Sequence, residues 1–327
     1  MDEEVYEGPL MSVSNAGLSI ISPDIAKKLA NKKISPSLIT GLQGCAAQWV
    51  ASTFVMRDLI KEDPDNAATR GSLFHKVMEK AFAEEPEART KARIYEICDE
   101  VLETEEFAFF KSIPAAVEWL HNAIESYYSM GGRPKKVKIA SIQNLGDSKP
   151  KIGLEVFVKG NLAGATRDTL GFIDRLAVDQ LNDDENAVII EDWKSGAKAK
   201  KWNPKTKNDE GRAEARQQII YSMLLKQQGV KVTGARLIFP VAQEVVDVDL
   251  NDEKFNDQVI QDIKDADEAL DNYMENNLFE YKPSFLCSWC PLSKICPKAQ
   301  VEKFPKARAA YAQQPPIEVL AEAFTFI

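Results

Sequence analysis

The sequence predicts an α/β protein, a helical first half followed by an α/β core. Three observations carry that prediction. Apolar residues recur at helical spacing through most of residues 35–130, and runs between Lys151 and Trp193 alternate or turn wholly apolar over strand lengths. Beyond residue 211, helical stretches and short apolar runs follow one another. The 327 residues, 44% hydrophobic and 28% charged, suffice for one large or two modest domains with a substantial core.

In chain order, residues 1–34 are an N-terminal segment of mixed composition with no assigned role. Ser35-Pro36-Ser37 carries a helix-start signal, and one helix is expected from there through Cys45 to about Leu59. A turn near Pro64 leads to a helix over Ala68–Ala83, and two more are expected over Glu87–Lys111 and Ala115–Met130. Strands follow at Lys151–Lys159, Leu170–Val178 and Ala187–Trp193, the last two joined by a turn over Asn182–Asn186. Gly211–Gln228 reads as a helix, Ala235–Pro240 and Glu244–Asp249 as strands, and Asp252–Asn276 as a long helix. The main domain is therefore set at 35–300, and the tail 301–327, with Pro315-Pro316, is a separate segment. No repeat is visible.

No apolar run approaches the eighteen or so residues that span a bilayer, and Met1-Asp-Glu-Glu has the wrong sign for a secretory leader, so a cytoplasmic protein without a membrane partner is expected. Five cysteines, three of them within ten residues, favour reduced thiolates on a metal over a disulfide framework.

Candidate chemistry concentrates where the strands end. Asp174 and Asp192 close two strands expected to be neighbours, and Lys194 shares a strand face with Asp192 because side chains alternate with period two. Two carboxylates and a lysine suit a divalent cation that must meet a phosphate, activate a water and stabilise developing negative charge. Oxygen ligands, with at most one imidazole, favour Mg²⁺ or Mn²⁺. Gly71, His75 and Glu79 lie along one helix face, offering His75 as a third ligand. Gln217 and Tyr221 sit one helical turn apart, an amide and a phenol able to orient a phosphate or the lysine. Glu155 is a weaker fourth acidic candidate, with a solvent-facing strand residue as its alternative. Alone, Asp-x-Lys is a common strand end; the neighbouring motifs give it weight.

The net charge of −9 argues against nonspecific coating of nucleic acid, but a local groove can differ from the sum. Lys198, Lys200, Lys201, Lys205 and Lys207 follow Lys194 and surround Trp202. Lys198, Lys200, Lys201 and Trp202 are expected to contact DNA, the lysines through phosphates and the indole by stacking; a solvated loop is the alternative. Arg133, Lys135, Lys136 and Lys138 form a smaller basic cluster.

The ordered series Gly71-x-x-x-His75-x-x-x-Glu79, Gly171-Phe-Ile-Asp174-Arg175, Asp192-Trp-Lys194-Ser-Gly196 and Gln217-x-x-x-Tyr221 resembles the RecB-like branch of the PD-(D/E)XK nucleases. The resemblance implies a restriction-endonuclease-like core, a mixed sheet flanked by helices, that hydrolyses DNA phosphodiesters with Mg²⁺ or Mn²⁺. By position it makes His75, Asp174 and Asp192 the metal ligands, Lys194 the catalytic lysine, and Gln217 with Tyr221 the motif of this branch.

Cys45 and Cys287-x-x-Cys290-x-x-x-x-x-Cys296-Pro297 extend it. Four thiolates suit tetrahedral zinc or a [4Fe-4S] cluster. One distant cysteine plus three close ones resembles the iron-sulfur nucleases of this branch, the CRISPR-associated single-domain exonucleases and the AddB nuclease domain. That implies a [4Fe-4S] cluster joining both ends of the domain, with Zn²⁺ as the alternative. Cys98, beside Ile94 and Ile97, reads as a core residue. The expected activity is that of a metal-dependent deoxyribonuclease, an exonuclease rather than an endonuclease, in DNA recombination, repair or end processing. Its partners would be DNA and a helicase, recombinase or other DNA-processing protein. No phosphate loop of the G-x-x-x-x-G-K-[ST] type occurs, so the chain carries no helicase motor of that kind. The rival is a noncatalytic DNA-end-binding module of the same fold, against which the retained Asp174, Asp192 and Lys194 weigh.

Overall fold

The computed structural model describes residues 6–7, 10–55, 65–131, 133–142, 151–182, 184, 186–203 and 210–299. In chain order the elements are β1 (Tyr6–Glu7), β2 (Met11–Val13), β3 (Leu18–Ile20), α1 (Pro23–Ala30), α2 (Pro36–Gln43), α3 (Ala46–Val50), α4 (Ala67–Ala83), α5 (Lys91–Leu102), α6 (Pro114–Ser129) and α7 (Arg133–Lys136). Then come β4 (Ser141–Ile142), β5 (Lys151–Ile152), β6 (Leu154–Gly160), β7 (Thr169–Val178), β8 (Val188–Trp193), α8 (Arg212–Gln227), β9 (Val232–Phe239), β10 (Glu244–Val248) and α9 (Glu253–Asn276). The chain divides into two compact units, one of Met1–Glu62, Ala163–Asp168 and Gln261–Ile327, the other of Asp63–Leu162 and Thr169–Ile260.

The second unit holds the mixed sheet, in the order β10-β9-β8-β7-β6. All its pairings are antiparallel except β8 with β9, which the α8 crossover makes parallel. β8 is buried at every position and reads Val-Ile-Ile-Glu-Asp-Trp, the composition of a central strand covered on both faces. The apolar faces of α4, α5 and α6 meet in one core built around Leu73, Phe82, Ile97, Leu120 and Tyr127, and Trp193 at the end of β8 plugs into it. α4 begins at Asn66, whose side chain accepts from Ala68 N and Thr69 N at 2.9 and 3.0 Å while Thr69 Oγ1 accepts from Asn66 N at 3.1 Å. That reciprocal cap fixes the start of the helix carrying His75.

In the first unit β1, β2 and β3 form a small antiparallel sheet, and Asn277 clamps β3 by accepting from Ile20 N and donating to Ile20 O, both at 2.9 Å. α1 packs Ile25 and Leu29 into the core that also takes Val50 and Phe279.

Several element boundaries differ from the sequence expectation. The single helix expected from residue 35 to about 59 is two: Gly44 leaves helical geometry (φ −76°, ψ −114°), Cys45 caps α3, and a π turn follows at Ala51–Val55. The helix expected over 87–111 is α5 alone, started by Thr90 accepting from Arg93 N, with a 3₁₀ turn at Ala108–Ser112; the apolar spacing runs on through Phe107 and Phe110 although the helix does not. The strand expected at 151–159 breaks at Gly153, whose N–H bonds back to Ala140 O at 2.8 Å. Residues 10–31, given no role from sequence, contain β2, β3 and α1. The turn at Pro64, Lys205, Lys207 and the tail 301–327 lie outside the described residues.

Candidate active site

Register brings the carboxylates together. β7 and β8 pair Arg175 with Glu191, and one step further the same register carries Asp174 across from Asp192. Asp174 Oδ2 accepts from Trp193 N at 2.8 Å, which fixes its carboxylate. Asp192 is buried, and burial followed by the Asp174 charge pushes its pKa up to about 6, partly offset by Lys194. Two carboxylates so placed favour a cation between them.

His75, on the third turn of α4, reaches the same point. Its Nε2 lies 3.0 Å from Trp193 O and its Nδ1 3.4 Å from Asp174 Oδ2. With Nε2–H donated to the carbonyl, Nδ1 is turned toward the carboxylates, the arrangement in which a histidine serves as a metal ligand oriented from behind. Burial works against the imidazolium, but the hydrogen bond and charge of Asp174, with the charge of Asp192, hold the His75 pKa above the ordinary histidine value.

Glu155 completes the group. One potential ligand atom each from His75, Glu155 and Asp174 lies within 4.8 Å of the others. In the β6–β7 ladder Leu154 pairs with Arg175 and Val156 with Ile173, so Glu155 stands opposite Asp174. Its backbone is left-handed, φ 47°, a conformation costly for a residue with a Cβ and commonly kept where a site needs it. Although the residue is exposed, partial desolvation of its carboxyl, then the Asp174 charge, raises its pKa to about 7. Oxygen donors with one imidazole are a ligand set for Mg²⁺ or Mn²⁺. The sequence expectation took His75, Asp174 and Asp192 as the ligands, with Glu155 as a weaker candidate. In the structure Asp192 adjoins Asp174 and is ion-paired to Lys194, while Glu155 joins His75 and Asp174 in the close group.

Lys194 is held by the parallel pairing beyond β8, its N–H donating to Ile238 O at 2.8 Å. Its Nζ sits 2.6 Å from Asp192 Oδ2 and donates to Gln217 Oε1 at 3.2 Å, and Gln217 Nε2 donates to the Tyr221 hydroxyl at 2.9 Å. Burial acts against the ammonium, but Asp192 overcomes it, so Lys194 keeps its proton. Burial also raises the Tyr221 pKa, leaving a neutral phenol at the end of the chain. The Tyr221 ring lies against Gly171, where a Cβ would run into it. Gly171, Asp174, Asp192, Lys194, Gln217 and Tyr221 thus work as one constellation.

Arg175 has a structural part that the motif alone did not disclose. Fully buried, its guanidinium pairs with Glu191 (Nη2–Oε2 2.6 Å), approaches the Tyr127 hydroxyl at 3.3 Å, and lies over the rings of Phe82 and Trp193 at 4.1 and 4.6 Å. It ties β7 and β8 to α4 and α6 one residue from the carboxylates.

The basic loop has internal partners. Lys198 Nζ pairs with Glu210 at 2.9 Å and Lys200 Nζ with Glu214 at 3.0 Å, both lysines exposed. Lys201 is exposed, and Trp202 is half-buried with its ring 5.3 Å from that of Phe255. His121 lies outside the site, its ring edge-on to Tyr95 at 4.9 Å.

In the first unit Cys45, Cys287, Cys290 and Cys296 line one small pocket. Cys45 Sγ accepts from Lys282 N at 3.4 Å and Cys287 Sγ from Ser284 N at 3.3 Å. Burial, then the neighbouring sulfurs, pushes Cys290 up to about 12 and Cys296 to about 11 despite backbone N–H donors. Four thiols around one pocket, with N–H donors at the sulfurs, suit thiolate ligation of a metal or cluster. Cys98 is buried among Ile94, Ile97 and Val101.

A model of the PD-(D/E)XK nuclease superfamily matches residues 33–297. No curated protein matches the chain. Among solved structures, the chain is similar to a presumed exonuclease from Eubacterium rectale, at 11% identity and a TM-score of 0.43, over 82% of this chain and 90% of that one.

Proposed function

The chain belongs to the PD-(D/E)XK nuclease superfamily, and on that premise we propose that it is a metal-dependent deoxyribonuclease of the RecB-like branch, acting as an exonuclease. The observation that carries this reading is the unbroken polar chain from Asp192 through Lys194 and Gln217 to Tyr221, beside His75, Glu155 and Asp174. His75, Asp174 and Asp192, with Glu155, would hold Mg²⁺ or Mn²⁺. Such an ion supplies Lewis acidity at a phosphate oxygen and lowers the pKa of water. Lys194, kept protonated by Asp192, is poised to stabilise charge developing on the phosphate; Gln217 fixes the lysine, and Tyr221 fixes Gln217.

The four cysteines would carry a [4Fe-4S] cluster, their one-plus-three spacing favouring it over Zn²⁺. Lys198, Lys200 and Lys201 would follow the DNA backbone beside the site, exchanging Glu210 and Glu214 for phosphates, and Trp202 would stack on a base. The biological setting would be DNA recombination, repair or end processing in the cytoplasm, with a helicase or recombinase as partner. Among the described residues no helix is long and apolar enough to cross a membrane.

The test is digestion of end-labelled single- and double-stranded DNA with Mn²⁺, with Asp192→Ala as control. Stepwise release of nucleotides from an end, lost in the variant, is expected. DNA that stays intact under Mn²⁺ and Mg²⁺, yet is bound at its ends, would replace this reading with the noncatalytic end-binding module.

A further inference from the structure

Phe157 and Phe172 are 42% and 56% exposed, paired directly across β6 and β7, with ring centroids 5.1 Å apart. Their neighbours along both strands, Val156, Val158, Gly171 and Ile173, are buried, and Gly171 faces Tyr221 while Gly160 faces Leu224 and Gln227 of α8. The two rings therefore lie on the face turned away from α8, where they add nothing to the core. Two positions along β6 stands Glu155, and two positions along β7 stands Asp174. At strand rise that offset is roughly 7 Å.

Resting on the nuclease reading above, we propose that Phe157 and Phe172 form a stacking platform for unpaired bases of a single-stranded DNA end whose phosphate is held through a divalent cation at the Glu155–Asp174 carboxylates. Aromatic faces accept any base, so such a platform holds a strand without reading its sequence. The position supplies the register. A phosphate held in this way leaves its own base, or the adjacent one, within reach of rings one nucleotide's length away. A paired base has no free face, so the platform selects single strands and frayed ends, and a blunt duplex must open first.

The platform is a positioning device, and its loss should appear in KM more than in kcat. With single-stranded oligo(dT) and Mn²⁺, Phe157→Ala/Phe172→Ala is expected to raise KM roughly tenfold or more, the range of alanine changes at base-stacking aromatics. Phe157→Tyr/Phe172→Tyr should restore the wild-type KM, and Phe157→Leu/Phe172→Leu should not. An oligonucleotide with abasic residues at the terminal positions should raise the wild-type KM equally while leaving the alanine variant unaffected. An unchanged KM in the alanine variant, or the same loss on abasic and normal DNA, would overturn the proposal. Binding of an oligonucleotide ending in 2-aminopurine to the Lys194→Ala variant with Mn²⁺ present, with and without the two alanine changes, reads the platform with turnover suppressed. Quenching without the two changes but not with them supports it even if cleavage fails and the nuclease reading falls; no quenching without them overturns it. A wild type that self-associates through this pair, shown by a mass that falls in the alanine variant, would assign the face to a second copy and overturn it too.

Discussion

Three carboxyl groups and a histidine crowd the acidic end of the pocket, and desolvation with the charges around them shifts two of the carboxyls. Asp192 is pushed to about 6 and Glu155 to about 7, above the usual carboxylate range. In the metal-free protein each binds more protons folded than unfolded between its two pKa values. The stability each contributes is thus complete below about pH 4, and is lost as pH rises through 6 for Asp192 and through 7 for Glu155. A divalent ion must displace those protons, so Mn²⁺ affinity should climb between about pH 5 and pH 7.5. Calorimetry at pH 6 in buffers of different ionisation enthalpy should register release of about two protons per ion bound, from Glu155, Asp192 and His75 together; no release would separate these groups from the metal. Lys194→Ala should lower the cleavage rate by roughly a hundredfold or more with circular dichroism unchanged. A retained rate would remove Lys194 from the chemistry. At this scale the sequence was most legible: acid, lysine, amide and phenol could each be named from spacing and residue type. Glu155 stood out only weakly, because a left-handed φ on a strand leaves no trace in an alternating pattern.

Among the elements, the joint between β7 and α8 decides whether the polar chain stays aligned. Gly171 lets the Tyr221 ring lie against the strand, and a Cβ there forces one of them to move. Gly171→Ala should cost about 1–3 kcal/mol in urea denaturation and reduce the cleavage rate by displacing the support of Gln217. Adding Tyr221→Leu should recover much of the stability, since the smaller side chain clears the methyl, and none of the activity. Equal losses in single and double variants would show that the ring is not what the methyl meets. Arg175→Ala should be worse, by about 3 kcal/mol or more, since it takes the fully buried guanidinium at 2.6 Å away from buried Glu191. The long strands and helices were readable because apolar periodicity records burial. The break at Gly44, the end of α5 and the three-residue strands β2 and β3 were not. A break is one backbone torsion, and three residues are too few to show a period.

At the scale of the whole molecule, Cys45 stands about 240 residues from Cys287, and closing a loop of that length costs on the order of 5 kcal/mol in chain entropy. The core of Val50, Phe279 and Leu292 offsets part of that cost, and a thiolate-bound cluster would offset more. Without a cluster no bond links Cys45 to the cysteines at 287–296, so cluster loss should loosen α3 and the turn at Phe285–Trp289 together. Protein purified without oxygen should be brown, with iron and sulfide near stoichiometric for [4Fe-4S]. Cys45→Ala and Cys287→Ala should each bleach it and lower both melting temperature and solubility, whereas Cys98→Ala, from the other core, should keep the colour. Stoichiometric zinc without sulfide would make the site a structural zinc centre, and a metal-free protein of unchanged melting temperature would leave the four thiols as packing alone.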